Sequence, residues 1–351
     1  MKDPLGFLNG KKAATFWQED EKSSSEVDES FEDKVVMMDM AQALEKFDWL
    51  KDYMWKAVDK DKDEYTRIAS EESKGGYFIH VKEGADVNVP VLSCIAIRGS
   101  NVRQVVHNIV IVEKGAKVNI LSGCFNHQNV ETSEHIGISE FYVKEGAYLN
   151  FTMVHAWNKQ TFVRPRSSTI VEEGGNFISN YIALDPVKDL QMYPVCRLDA
   201  GSKATMTSLL YGIGNSFMDV GGELQLGEGS QGEIISRAIA RDESRIISKG
   251  RIIGKQESKA HLECQGLLLS PGASIHAVPE LIAESQDTDL SHEAAVGKIA
   301  EKELVYLMAR GLTRDEATSV IVRGFLDVRI LGLPEEFEKK VSSLIDRIEK
   351  N

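Results

Sequence analysis

Between residues 73 and 290, apolar and polar side chains alternate in short runs, and the runs recur. Successive segments read VKEGADVNVPV from Val81, VEKGAKVNIL from Val112, VKEGAYLNFTM from Val143 and VEEGGNFIS from Val171. LDAGSKATMTSL from Leu198 and LGEGSQGEIIS from Leu226 follow. The central glycines Gly84, Gly115, Gly146, Gly174, Gly201 and Gly229 stand 31, 31, 28, 27 and 28 residues apart, and Gly272 continues the series after one irregular step. Each unit is a β-branched strand, a charged turn closed by glycine and a second alternating strand. The glycine supplies the positive φ that such a turn demands. A helical solenoid is excluded because no amphipathic helix fits inside a repeat. A propeller blade needs four strands in about 40–45 residues, more than these units offer. The pattern predicts a mainly β fold, a right-handed parallel β-helix in which each coil buries its apolar face against its neighbours.

The pattern changes at both ends. From Val35 to Val58, Met37, Met40, Leu44, Phe47, Leu50, Met54 and Val58 recur every three or four residues, the stripe of an amphipathic helix. An N-terminal helical region is therefore expected over 35–72. From Ser291 the period turns helical again. A first helix carries Val296, Ile299, Leu304, Leu307 and Met308 and stops at Gly311. A second opens on the capping-box pair Thr313 and Glu316, and a third starts at Pro334. Helices over 291–351 would cap the solenoid and offer a docking surface.

Composition modifies this picture only at the N-terminus. Residues 19–34 carry eight acidic side chains and three consecutive serines, too little apolar surface to order themselves, so 1–34 is expected to be mobile or loosely helical. The whole chain of 351 residues is 42% hydrophobic and 27% charged, with a net charge of −13. That excess of acid argues against a broad surface for nucleic acid or anionic membrane. No apolar run reaches the ~18 residues of a bilayer span, and Met1 to Gln18 lacks the core of a secretory signal. A cytoplasmic protein is expected.

Cysteine usage agrees. Cys94, Cys124, Cys196 and Cys264 lie 30, 72 and 68 residues apart, so there is no C-x-x-C pair and no ferredoxin-type motif. In a reducing compartment they are expected to be thiols.

Several stretches resemble the SufB/SufD family. The most specific is SHEAAVGKIAEKELVYLMARGLTRDEATSVIVRGFLDVRILGLPEEF from Ser291 to Phe337, with its His-Glu-Ala opening, RGL turn, D-E-A pair and RGF segment in order. LKDYMWKAV from Leu50, KGGYFIHVKEGADVNVPV from Lys74 and LSGCFNHQNVETSEHIGISEFYVKEGA from Leu121 resemble earlier parts of the family. GEIISRAIARDESRIISKG from Gly232 and KAHLECQGLLL from Lys259 follow its path to a late cysteine. The resemblance covers residues 48–351. It implies an assembly scaffold, not an enzyme, on which iron and sulfide form a transient iron–sulfur cluster that passes to recipient apo proteins. It also implies a SufC-type ATPase of the ABC class docked on the C-terminal helices. The chain has no Walker motif, so ATP would be hydrolysed by that partner. Self-association as a homodimer, or pairing as a SufB–SufD-like heterodimer, is implied as well.

The resemblance places a late cysteine at Cys264 and a His-Glu pair at His292 and Glu293, which it implies as cluster ligands. One thiolate, one imidazole and one carboxylate make an incomplete cage, suited to assembly and release, that a second subunit would complete. The residues also have plainer readings. Alternation in HLECQ puts Cys264 on the face of Leu262, as in a buried core thiol. Glu293 and His292 also suit the first turn of a helix. The resemblance further marks Cys124 and His135, each equally a packing residue, and the basic Arg237 and Arg241, which either pass an anionic sulfur species or form a solvated strand face. Cys94 and Cys196 read as core. In the family's sulfur-accepting branch a cysteine precedes the Tyr-Pro strand, and Phe151–Ser168 has none. Sulfur then arrives as free sulfide or at Cys264, or the chain is a supporting SufD-like subunit that carries no cluster. Cys264 with the His-Glu pair favours the SufB-like role. A β-helix enzyme on polysaccharide or acyl groups is disfavoured by the lack of a six-residue repeat.

Overall fold

The computed structural model describes residues 11–127 and 129–326. It is mainly β, 55% strand and 14% helix, and forms a β-solenoid of about eight turns. Two sheets wall the coil. The first runs in spatial order through Lys22–Val27, Ala14–Glu19, Asp86–Ile97, Lys117–Asn126, Tyr148–Ala156, Asn176–Ala183, Lys203–Gly212, Ser230–Ala240, Ser258–Leu268 and Thr288–Lys298. The second starts at Val35–Asp39 and Tyr77–Val81 and ends at Ser274–Ala283. All pairings between successive coils are parallel; only the two N-terminal pairs, Ala14–Glu19 with Lys22–Val27 and Val35–Asp39 with Tyr77–Val81, are antiparallel.

The repeating glycines sit at the corners. Gly84, Gly115, Gly146, Gly174, Gly201 and Gly229 have φ between 63° and 67°, as their role in the turn requires. The Gly115 amide donates to the Glu145 carbonyl of the next coil at 3.0 Å, so corner stacks on corner. Gly272 differs: its φ is not positive, and a Cβ there would meet the Glu243 carboxylate.

Alternation sorts each strand into an inner and an outer face. Inner residues such as Ile95, Ile120, Phe151, Leu210 and Leu262 form one axial core. The outer face of the first sheet is apolar at Cys94, Phe125, Leu209 and Ile239 and packs under Val322 and Leu326. On the second sheet's outer face, Ile109, Ile111 and Tyr142 are covered by Met40, Ala43, Leu50 and Ala57.

Three expectations for the ends are corrected. Residues 19–34 are mainly strand: Ala14–Glu19 and Lys22–Val27 form a hairpin that continues the first sheet alongside Asp86–Ile97, and the helical part is one 3-10 turn over Glu29–Phe31, while residues 1–10 lie outside the described residues. The stripe from Val35 starts as a strand, Val35–Asp39, before α1 (Met40–Lys46) and a 3-10 turn over Asp48–Asp52; α2 (Glu64–Glu72) follows. Ser291 does not begin a helix. It lies in the last strand, and the helices are α3 (Glu301–Met308) and α4 (Arg314–Leu326). The helix expected from Pro334 lies outside the described residues.

One carboxylate fastens the N-terminal segment to the coil. Glu140, fully buried on the outer face of the second sheet, accepts from the amides of Trp55 (2.7 Å), Ala57 (2.7 Å) and Val58 (3.1 Å) and lies 2.8 Å from His107 Nε2.

Candidate functional site

Cys264 lies in the strand Ser258–Leu268 and, as alternation predicts, points inward with Leu262; it is 2% exposed. The next and last strand of this sheet pairs in unbroken register: Leu262 with His292, Glu263 with Glu293, Cys264 with Ala294. His292 therefore shares the inner face with Cys264, displaced by two residues along the strand. Glu293 shares the outer face with Glu263, on the opposite side of the sheet. The three expected ligands are not brought together within one chain. The reason is the strand itself: in a helical turn consecutive residues fan around one axis, whereas in a strand they alternate.

The Cys264 thiol is pushed up by burial, against which a hydrogen bond from the Ser248 hydroxyl acts in the other direction. Ser248 Oγ also lies 2.8 Å from Ser236 Oγ, and Ser236 is the register partner of Cys264 on the preceding coil. Ser236 and Cys264 belong to a column on the inner face of the first sheet: Ser93, Ser122, Met153, Tyr181, Ser208, Ser236, Cys264 and Ala294, one residue per coil. Mid-column, where Pro165 and Pro194 interrupt the second sheet, a cavity of about 850 Å³, part of it open to solvent, is lined by Met153, His155, Tyr181, Met206 and Ser236. Sequence reasoning passed over this column, yet it carried a signal. From Gly115 to Gly229 the inner residue stands seven positions after each turn glycine, and Cys264 stands seven after Glu257 in the equivalent turn.

The remaining marked residues lie elsewhere. Cys124 is an inner residue five strands from Cys264, roughly 24 Å at the usual strand spacing. Burial holds its thiol well above the usual range, and its Sγ lies 3.9 Å from Met153 Sδ. His135 is buried against Trp157 with Nδ1 2.9 Å from Gln104 Oε1, and burial pushes it down to about 4. His155, 2.8 Å from the Tyr181 hydroxyl, is held well below the ordinary histidine value by burial and by His135. These are packing environments for neutral side chains.

Arg237 is not a solvated base. It lies on the outer face, 2.6 Å from Glu263, with the Phe325 ring of α4 over its guanidinium. Arg241, at the end of the same strand, is held by Tyr211 and by Asp242 at 3.8 Å. Cys94 packs outward in the apolar layer and Cys196 inward in the core. No disulfide joins the four cysteines. Among the described residues, no three His, Cys, Asp or Glu side chains stand close enough to hold a metal ion.

Among the described residues, the coil ends openly at this site. Glu293, Val296 and the rest of the last strand are exposed or half-exposed, and α3 and α4 do not close the end over them. A family model described as "SUF system FeS cluster assembly, SufBD core domain" matches residues 95–325. The chain belongs to the SufBD family. An Archaeoglobus fulgidus protein named iron-sulfur cluster assembly SufBD family protein is 47% identical over 343 residues, covering 97% of this chain and 92% of the relative. A Methanothermobacter thermautotrophicus relative of the same description is 44% identical, covering 96% of this chain and 83% of the relative. Similarity reaches the Bacillus subtilis iron-sulfur cluster assembly protein SufB at 26% identity, over 89% of this chain and 68% of that protein. A SufBD protein is thus a component of iron–sulfur cluster assembly, as the C-terminal signature implied. Among the described residues, no helix is long and apolar enough to cross a membrane.

Proposed function

We propose that this SufBD chain is a scaffold subunit on which an iron–sulfur cluster is assembled and from which it is passed to recipient apo proteins in the cytoplasm. The observation that carries the reading is the position of Cys264. It is the one cysteine that faces the last, uncovered coil of the solenoid, with His292 on the same inner face. Soft thiolate is the preferred cluster ligand, and imidazole a weaker one. Two ligands hold a cluster only in part, so the remaining ligands come from outside the chain. A second copy, meeting the first end to end, would supply another Cys264 and His292; a SufD-like partner would supply a different set. Glu293, on the outer face, joins such a site only from the rim, across the junction.

A SufC-type ATPase of the ABC class is proposed to dock on α3 and α4. Val305, Tyr306, Met308 and Val320 are 54%, 58%, 39% and 50% exposed there, an apolar surface on otherwise charged helices that supports a protein contact. The docking region begins near residue 300, since 291–298 belong to the last strand. The alternative is a SufD-like subunit that binds the ATPase without carrying a cluster, favoured by the absence of a third ligand near Cys264 among the described residues.

Two measurements test the reading. Anaerobic incubation of the purified chain with iron and sulfide is expected to give a visible charge-transfer spectrum; a homo-oligomer that stays colourless supports the SufD-like role instead. Removal of residues 300–351 is expected to abolish co-purification with the ATPase while the β-solenoid stays folded; survival of the complex contradicts the docking assignment.

A further inference from the structure

The Cys264 thiol sits between two very different neighbours. On the interior side the hydrogen-bonded pair Ser236 and Ser248, with the fully buried Leu262 and Ile252, stands between the thiol and the cavity that Ser236 lines. A Cβ on Gly250 would come within 2.4 Å of Leu262, so this layer has no slack. On the other side only the last coil remains, formed by Ser274–Ala283 and by Thr288–Lys298, which pairs with the Cys264 strand. Its residue directly over Cys264 is Ala294, exposed, flanked on the same inner face by His292 and by Val296, itself 42% exposed. Among the described residues, a methyl group is thus the one side chain of the last strand directly over Cys264, which is 2% exposed.

We propose that Ala294 is the port to Cys264: iron and sulfide reach the thiol through the end of the solenoid, and the small side chain at 294 sets that access. The inference rests on Cys264 being a cluster ligand, and it names the residue that determines what reaches it. A branched side chain at 294 would lie across the sulfur in the direction in which a metal must approach. Little else would change, because residue 294 is exposed on the last strand of its sheet. The port opens onto the face where a second copy would meet the chain, so a cluster formed there stands between the two.

The test is the alkylation rate of Cys264 by iodoacetamide in the folded, metal-free full chain, followed by peptide mass spectrometry. Rates are compared at one protein concentration, with the assembly mass of each variant checked by light scattering. Modification of a covered group tracks the population of its open form. Ala294→Leu is expected to slow the reaction about tenfold or more, and Ala294→Gly to be at least as fast as the parent. Ser236→Val, on the interior side, is expected to leave the rate unchanged. The port is overturned by an unchanged rate in Ala294→Leu, by slowing in Ser236→Val, or by a Cys264 that never reacts while the chain is folded. These rates are read without any cluster. Failure of the ligand reading would instead appear as full iron content in Cys264→Ala, with the alkylation order of the other variants intact.

Discussion

Removing the Glu140 carboxylate with Glu140→Ala should release the segment from Tyr53 to Asp63 from the coil. The carboxylate is fully buried and accepts three backbone amides, from Trp55, Ala57 and Val58, besides facing His107 Nε2 and the Tyr142 hydroxyl. Each buried donor left without an acceptor costs ~1–3 kcal/mol. Relaxation of the segment recovers part of this, so the loss should be about 3–5 kcal/mol, the range reserved for broken buried networks. Trp55 adds to the tension, since its φ of 58° is a left-handed conformation that persists only when surroundings enforce it. Urea unfolding would measure the loss. Amide exchange at Trp55, Ala57 and Val58 would locate it, and these amides should exchange far faster than those of the Ser258–Leu268 strand. Acid should have a related effect. Burial raises the Glu140 pKa, but the His107 contact and the amides of Val58 and Trp55 outweigh it and hold the group below the usual carboxylate range. Stability from this group is therefore present above the unfolded value of about 4.3 and lost as pH falls toward the folded one. A loss below about 1 kcal/mol in Glu140→Ala, with the three amides still protected, would refute the reasoning.

Other substitutions probe the coil itself. His135, held down to about 4 by burial, is bound neutral in the folded chain while the unfolded chain takes up a proton below about 6.5. Acidification from about 6.5 to 4 should cost roughly 3 kcal/mol through this residue, a slope that His135→Leu should remove; an identical pH profile in the variant would contradict it. At the corner, Gly146→Ala should lose about 1–2 kcal/mol, although its Cβ would meet nothing within 4 Å, because φ is 63°. Gly250→Ala should lose at least as much, about 1–3 kcal/mol, by overpacking against Leu262. Equal stability of either variant and the parent in thermal or urea unfolding would undo the corresponding argument.

Where the chain repeats, its local pattern and its fold agree. Turn glycines need positive φ whatever surrounds them, and inward alternation put Cys264 on the face of Leu262 without any knowledge of neighbours. Where the chain departs from the repeat, distant partners override local preference. Ser23, Ser24 and Ser25 carry no apolar surface, yet they form a strand because Ala14–Glu19, itself paired with Asp86–Ile97, presents an edge to them. His292, Glu293, Ala294 and Ala295 read as a helix start, but the exposed edge of Ser258–Leu268 takes them as one more strand. That single change moved Glu293 away from Cys264. The Glu140 anchor was invisible for the same reason, as its acceptor oxygens meet amides more than eighty residues earlier.

The central claim is that Cys264, and not another thiol, holds the growing cluster. Iron and acid-labile sulfide bound after anaerobic reconstitution should be measured in the four single Cys→Ala variants. Cys264→Ala should stay folded, since losing one small side chain costs only ~1–2 kcal/mol in a large core, but should retain neither iron nor sulfide, while Cys94→Ala, Cys124→Ala and Cys196→Ala match the parent. Full iron and sulfide on folded Cys264→Ala would contradict the account.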